Sequence, residues 1–471
     1  MKDTPDELLH ILAHALPTVV SYHHLDNIVQ GNAEGTRILA RHSSSISEAE
    51  HSVTHDVEGP SEAGPPVDWD ETELFLKRVS ASAYVHKSWK DMRRTLLYLR
   101  TEVRFYNEIV PLLLGEDVTN EECSSSTLRS MIPTCHHAEY DLKGLVDEDS
   151  PATDVNAPCP VSEEELPRHL DGKGGYILLQ SLSPSHGYYQ RSPITTQESI
   201  LCLEAVARLH ASASGNVSLL QEISNRLSNA GGSYHLKFRN PKELQNIVSS
   251  WQSFRENFVG LEETRILEKT SVVALGQRVY DMAEYVSNEL TPGVQDEYAT
   301  LVHGDYKAMN VFLPTNGITE NSNKNAIMID FSCVGIGYGM SDVAMHIVHA
   351  VLPSDLEHGN EQYLVEQYLC ALEDAVNLKH CKTAGGNECH HRWTFPRDIA
   401  WRQYQLACID YLRFIMGRFW QSAMLETFEK KKSSKNTTLI NRDVKAAMAF
   451  IEKVDRYLEL FEDEKKEGVE K

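Results

Sequence analysis

Cysteine is sparse in this chain: nine in 471 residues, an odd number at irregular spacing, excludes the disulfide framework of a small secreted domain and fits reduced thiols. Long apolar runs are missing too, since no stretch reaches the 18 or so consecutive apolar residues of a membrane span. Positive charge is in short supply. Lys and Arg total 45 against 68 Asp and Glu, for a formal charge of -23, so no basic surface is at hand for nucleic-acid phosphates. Met1 to Leu16 carry Asp3, Asp6 and Glu7 where a secretory signal needs a positive start and an apolar centre. The expectation is a cytoplasmic protein with neither nucleic acid nor membrane as partner.

What remains is ordinary globular material: 41% hydrophobic and 24% charged residues, in a chain long enough for two lobes carrying insertions. Leu25 to Gly31, then Asn32 to Gly35, then Thr36 to Arg41 read as strand, turn and strand. Glu73 to Val79 reads as a buried strand holding one lysine, and Asp91 to Leu114 as a long helix ending at Gly115. Two further strands are expected at I-P-T-C-H-H-A-E-Y and Y-I-L-L-Q-S-L. Irregular, acidic stretches at about 43–67 and 146–175 read as insertions. From Thr196 onward helix dominates, beginning with an amphipathic helix over Thr196 to Ala213, apart from Tyr298 to Phe331, where short apolar runs bracket a polar turn containing Asn316 and Gly317. The division expected is a small sheet-and-helix lobe over 1–182, a larger mainly helical lobe over 183–460, and a frayed tail over 461–471.

One constellation points to chemistry. Phosphoryl transfer asks for a positioned acceptor hydroxyl, metal ions that neutralise developing charge, and a lysine on the nucleotide phosphates. The run His303, Gly304, Asp305, Tyr306, Lys307, Ala308, Met309, Asn310 places an Asp and an Asn in one loop between apolar strands. Asp330 follows at the end of the apolar run Ala326 to Ile329. Mg²⁺ favours one or two carboxylates plus phosphate oxygens, which such a pair can offer.

H-G-D-Y-K-A-M-N followed by I-D-F resembles the catalytic and metal-binding loops of the protein-kinase-like small-molecule phosphotransferases: aminoglycoside phosphotransferases, choline and ethanolamine kinases, and the ecdysteroid-kinase-like group. The resemblance runs from Gly31 to about Trp420 and implies an α+β, bilobal protein-kinase-like fold that binds ATP between its lobes. It implies Asp305 as catalytic base, Lys307 near the transferred phosphate, Asn310 and Asp330 as Mg²⁺ ligands, and Asp342 in G-Y-G-M-S-D-V-A as a structural acid. In the smaller lobe it implies Lys77 on the nucleotide phosphates, paired with Glu102, while Gly31 and Gly35 cover them. L-L-Q-S-L-S, with Gln180 and Leu182, would form the hinge against adenine. The glycine loop has no full G-x-G-x-x-G. Phe331 and Ser332 after Asp330 favour the small-molecule branch over a protein kinase. The implied activity is transfer of the γ-phosphoryl group of Mg-ATP to a hydroxyl of a small metabolite. The rival reading is a non-catalytic pseudokinase serving as nucleotide sensor or interaction module. Neither acceptor identity nor oligomeric state is written in the sequence.

Other polar clusters read more plainly. His380, Cys381, Cys389, His390 and His391 have zinc-type side chains at spacings that match no usual zinc motif. Arg78 rivals Lys77 for the phosphate contact, and His210 is expected to cap or pack its helix. Trp401, Tyr404, Tyr411, Phe414 and Trp420 form an aromatic helix that packs a core or lines an acceptor pocket. Asp410 and Glu373 are expected at the surface.

Overall fold

The computed structural model describes residues 5–30, 33–42, 70–114, 128–149, 154–227, 230–239, 241–315, 325–383 and 392–469. Gly31, the 43–67 stretch, Gly115, Asn316, Gly317, Cys389, His390 and His391 lie outside them. The chain divides into two compact units: Met1–Asn107, Pro133–Ser150 and Val155–His186 form one, and Glu108–Ile132, Pro151–Asp154 and Gly187–Lys471 the other. The class is α+β. The first unit is a small antiparallel sheet with helices, and the second is mainly helical.

In the first unit the helix α1 (Pro5–Ala15) leads into strands β1 (Val19–Gln30), β2 (Ala33–His42) and β3 (Asp70–Ser80). Then come the helix α2 (Trp89–Arg104) and strands β4 (Cys135–Asp141) and β5 (Gly174–Gln180), giving the sheet order β1-β2-β3-β5-β4. Alternation along the strands sends Ile38, Ala40, Leu74, Leu76 and Leu178 to one face, where they bury against Leu8, Ile11 and Leu12 of α1. Lys77, on the opposite face, is left for α2. Gly174 is required where β5 passes β3, because its φ is +141 and a Cβ there would stand 2.0 Å from the Val79 carbonyl oxygen.

Two local expectations need correcting. The strand β2 begins at Ala33, so Gly35 is not in the turn but inside the ladder, opposite Ile28 on one side and Lys77 on the other. The helix expected to run from Asp91 to Leu114 is α-helical from Trp89 only to Arg104, then takes a π turn over Phe105–Ile109 before a short helix at Val110–Leu114. Pro111 explains the break in pitch, since it has no N–H to donate to the preceding turn.

In the second unit the short strands β6 (Tyr188–Tyr189), β8 (Val311–Pro314) and β9 (Ile327–Met328) form one sheet, and β7 (Ala299–Val302) with β10 (Gly335–Tyr338) another. Around them pack α3 (Thr196–Ala213), α4 (Met340–Ala350) and α5 (Arg397–Arg418), besides the helices Asn360–Thr383 and Val444–Val469. The start of α3 is fixed by a reciprocal cap: Glu198 N donates to Thr195 Oγ1 at 3.3 Å and Thr195 N to Glu198 Oε2 at 2.8 Å. Its expected span is the observed one. Among the described residues no helix is long and apolar enough to cross a membrane.

Among the described residues, His235, His303, His346 and His349 of this unit are buried in their neutral form. Burial pushes His235 down to about 4 and His346 and His349 down to about 3. An unfolded histidine titrates near about 6.5. Below that pH the unfolded chain takes up protons that these side chains refuse, so stability is present above about 6.5 and lost as the pH falls towards 3–4. The urea midpoint is therefore expected to be lower at pH 5 than at pH 7.5, and an equal midpoint at both would contradict this account.

Candidate active site

Two antiparallel ladders assemble the loop residues. β8 pairs Val311 with Met328 and Phe312 with Ile327, and the ladder continues past its end with Ile329 N donating to Asn310 O at 2.9 Å. The register thus sets Asn310 opposite Ile329, next to Asp330. β7 pairs Val302 with Gly335, so His303 to Asp305 leave the sheet alongside Cys333 and Val334. Gly304, at φ +81, has no room for a side chain: a Cβ would meet the Cys333 carbonyl oxygen at 2.1 Å.

Within the loop the Asp305 carboxylate is held on both oxygens. Oδ2 accepts from Lys307 Nζ at 2.8 Å and from Asn310 Nδ2 at 3.2 Å, and Oδ1 accepts from Ser233 Oγ at 3.1 Å. Asn310 Nδ2 also reaches the Asp305 carbonyl at 2.8 Å. Burial opposes a charged Lys307, but the carboxylates of Asp305 and Asp330 outweigh it and hold the ammonium above its usual range. Asp330 has φ 64, left-handed backbone that non-glycine residues seldom adopt and that Asp tolerates better than most. Such backbone at the end of a buried strand is strain held by its surroundings.

Behind the loop stands Asp342, in the first turn of α4 and 1% exposed. Its Oδ2 accepts from His303 N at 2.7 Å and its Oδ1 from Gly304 N at 2.8 Å. His210 Nε2 donates to Oδ2 at 3.0 Å, leaving Nδ1 to accept from the Tyr368 hydroxyl at 2.8 Å. His303 is neutral, pushed down by burial; Nε2 donates to Ile329 O at 3.0 Å, and Nδ1 accepts from Asp305 N at 3.4 Å. One imidazole therefore ties the strand that delivers Asp330 to the loop that carries Asp305.

The first unit presents the other candidates. Lys77 Nζ lies 2.6 Å from Glu102 Oε2, with side chains 17% and 2% exposed. Arg78, one residue on, points to the sheet's other face, and burial pushes its guanidinium down. Ser181, between Gln180 and Leu182, is fastened to β3: Oγ donates to Glu73 Oε1 at 2.8 Å and N to Glu73 O at 3.2 Å. Gln180 itself is exposed and Leu182 buried.

Asp410 and Glu373 are not at the surface, as expected, but buried. Asp410 Oδ1 accepts from Arg413 Nε at 2.6 Å, and Glu373 is paired with Arg397. Of the aromatic helix, Trp420 stacks on Phe254 with centroids 4.1 Å apart, and Tyr404 donates to Glu361 at 2.5 Å, so both are core. Tyr411, packed on Tyr234 at 5.4 Å, lies within the fields of Asp305 and Lys307. Sequence reasoning missed Ser233 and Tyr368; neither sits in a recognisable motif.

The donors of the loop suit a hard divalent cation. Asn310 spends its amide nitrogen on Asp305, leaving the oxygen to accept, and Asp330 adds a carboxylate. Among the described residues no group of three or more His, Cys, Asp or Glu is placed to hold a metal.

The model of the ecdysteroid kinase-like family matches residues 73–383. No curated protein matches. Solved structures that the chain is similar to include choline kinase LicA from Streptococcus pneumoniae, at 9% identity, covering 95% of this chain and 98% of that one, with a TM-score of 0.38. Aminoglycoside phosphotransferase APH(3'')-Id from Streptomyces rimosus is 10% identical over 87% and 98%, at 0.32. Macrolide 2'-phosphotransferase MphH from Brachybacterium faecium is 12% identical over 88% and 97%, at 0.31.

Replacing Asp342 by Ala strands two backbone N–H groups and His210 in a buried place. A loss of about 3–5 kcal/mol in chemical denaturation is expected; wild-type stability in that variant would remove Asp342 from the centre of the network.

Proposed function

The chain belongs to the ecdysteroid kinase-like family, and from that premise we propose that it transfers the γ-phosphoryl group of ATP to a hydroxyl of a small metabolite. The observation that carries this reading is the Asp305 carboxylate, held by Lys307, Asn310 and Ser233 on a loop that Asp342 pins. A fixed carboxylate beside a cation is what an incoming hydroxyl needs: Asp305 takes its proton as the oxygen attacks phosphorus.

Lys307, whose ammonium stays charged beside two carboxylates, balances negative charge on the phosphoryl oxygens. Asn310 and Asp330 would hold Mg²⁺, which supplies charge neutralisation on the phosphates. In the first unit Lys77 is oriented by Glu102 and contacts the nucleotide phosphates. Gly35, and Gly31 outside the described residues, would cover them, while the Gln180–Leu182 segment meets the base. The acceptor is a small molecule whose class neither the loop nor the family resemblance fixes.

The test incubates the protein with Mg²⁺, γ-labelled ATP and a metabolite extract, and seeks labelled products by mass spectrometry. A labelled small molecule is expected with wild type and none with Asp305→Ala, while ATP affinity stays within about threefold because the base does not bind nucleotide. ATP binding with no turnover, even to water, would instead favour a nucleotide-sensing pseudokinase. Lys77→Met should weaken ATP use by about 10²-fold or more, in line with loss of an electrostatic contact in the transition state.

A further inference from the structure

Three side chains hold Asp305, and one of them comes from outside every motif read in the sequence. Lys307 and Asn310 both serve Oδ2, at 2.8 and 3.2 Å, whereas Oδ1 accepts Ser233 Oγ at 3.1 Å. The torsion that turns a carboxylate about its Cβ–Cγ bond is broad and soft. Donors on one oxygen alone leave the plane free to tilt; a third donor on the other oxygen fixes it.

We propose that Ser233 is a positioning residue for Asp305, setting the carboxylate plane so that Oδ1 offers its remaining lone pair to the acceptor hydroxyl. This rests on the reading of Asp305 as the base. Oδ2 is crowded by a cation and an amide, so the proton is taken at Oδ1. A neutral hydroxyl at 3.1 Å orients that oxygen while leaving it room for a second partner.

Ser233 is itself held without help from its hydroxyl. Its N donates to Gly304 O at 2.6 Å, and its carbonyl accepts from Arg239 Nη1 at 3.0 Å. The residues before it are laid along β10 and the turn that leads into it, with Gly231 N on Ile336 O at 2.8 Å and Gly232 N on Cys333 O at 3.0 Å. Tyr234, after it, donates to Ser341 O at 2.9 Å. Arg239 is fixed in turn by Glu243, at 2.8 and 2.9 Å. The hydroxyl is thus the one polar group of Ser233 not used in anchoring the segment, and removing it leaves those main-chain bonds in place.

The experiment measures phosphate release from Mg-ATP with water as acceptor, in wild type, Ser233→Ala and Ser233→Thr, and Ser233→Ala again in an Asp305→Asn background. Thermal unfolding of each variant is followed in parallel. For Ser233→Ala the expectation is a kcat about 10-fold to 100-fold lower, with the KM for ATP within about twofold and the unfolding midpoint near wild type. Threonine, which keeps the hydroxyl, should return kcat to within about threefold. In the Asp305→Asn background the alanine should cost nothing more, because the group it orients is already gone. Unchanged kcat in Ser233→Ala, or the same loss in both backgrounds, would overturn the proposal while leaving the kinase reading intact. A wild type that turns over no ATP overturns both.

Discussion

The hydrogen bonds from the His303 and Gly304 amides to the buried Asp342 carboxylate are the constraint on which the site depends. A loop that leaves a short strand and must present a carboxylate, a lysine and an amide at fixed positions has little hydrophobic surface with which to hold itself. Asp342 supplies the anchor instead: two main-chain bonds at 2.7 and 2.8 Å, backed by His210 and Tyr368 from two further helices. Charge-assisted bonds to buried groups are strong in proportion to what their loss leaves unpaired. Two separate segments of chain, the loop and α3, therefore bond to one carboxylate, with Tyr368 holding His210 from behind, and neither can shift without stranding the other.

From that anchor the order propagates outward. Gly304 packs against Cys333, His303 grips the carbonyl of Ile329, and the β8–β9 ladder sets Asp330 beside Asn310. The strained backbone of Asp330 is tolerated because Ile329 before it is hydrogen-bonded at both its N and its O, and Phe331 after it is buried against the His303 ring. In the first unit the same logic appears on a smaller scale, where strand alternation leaves Lys77 facing α2 and Glu102 receives it at 2.6 Å.

The buried acids away from this loop are tied off in other ways. Asp410 pairs with the buried Arg413, while Glu373 is buried and held by Arg397, whose own side chain reaches it from the surface; their expected surface placement failed because a carboxylate can be buried where a guanidinium reaches it. Most of these aromatic residues are likewise spent on packing, with Trp420 stacked on Phe254 and tilted against Trp251. Tyr411 lies within the fields of Asp305 and Lys307.

The sequence by itself determined the α+β class, the strand and helix order, the span of Thr196–Ala213 and the residue types of the candidate loop. Hydrophobic period, capping residues and short-range spacing are local properties. It also named Lys77 and Glu102 as a pair, through the resemblance and the order of strand and helix. It did not show that Gly35 lies in a ladder, that the helix after Trp89 changes pitch before Pro111, or that Asp410 and Glu373 are internal. Least of all did it single out Ser233, which meets Asp305 across 72 residues. That contact exists because main-chain bonds to Gly304, Cys333 and Ile336 lay one segment along two others, and hydrogen bonds between distant segments leave no periodicity for a sequence to display.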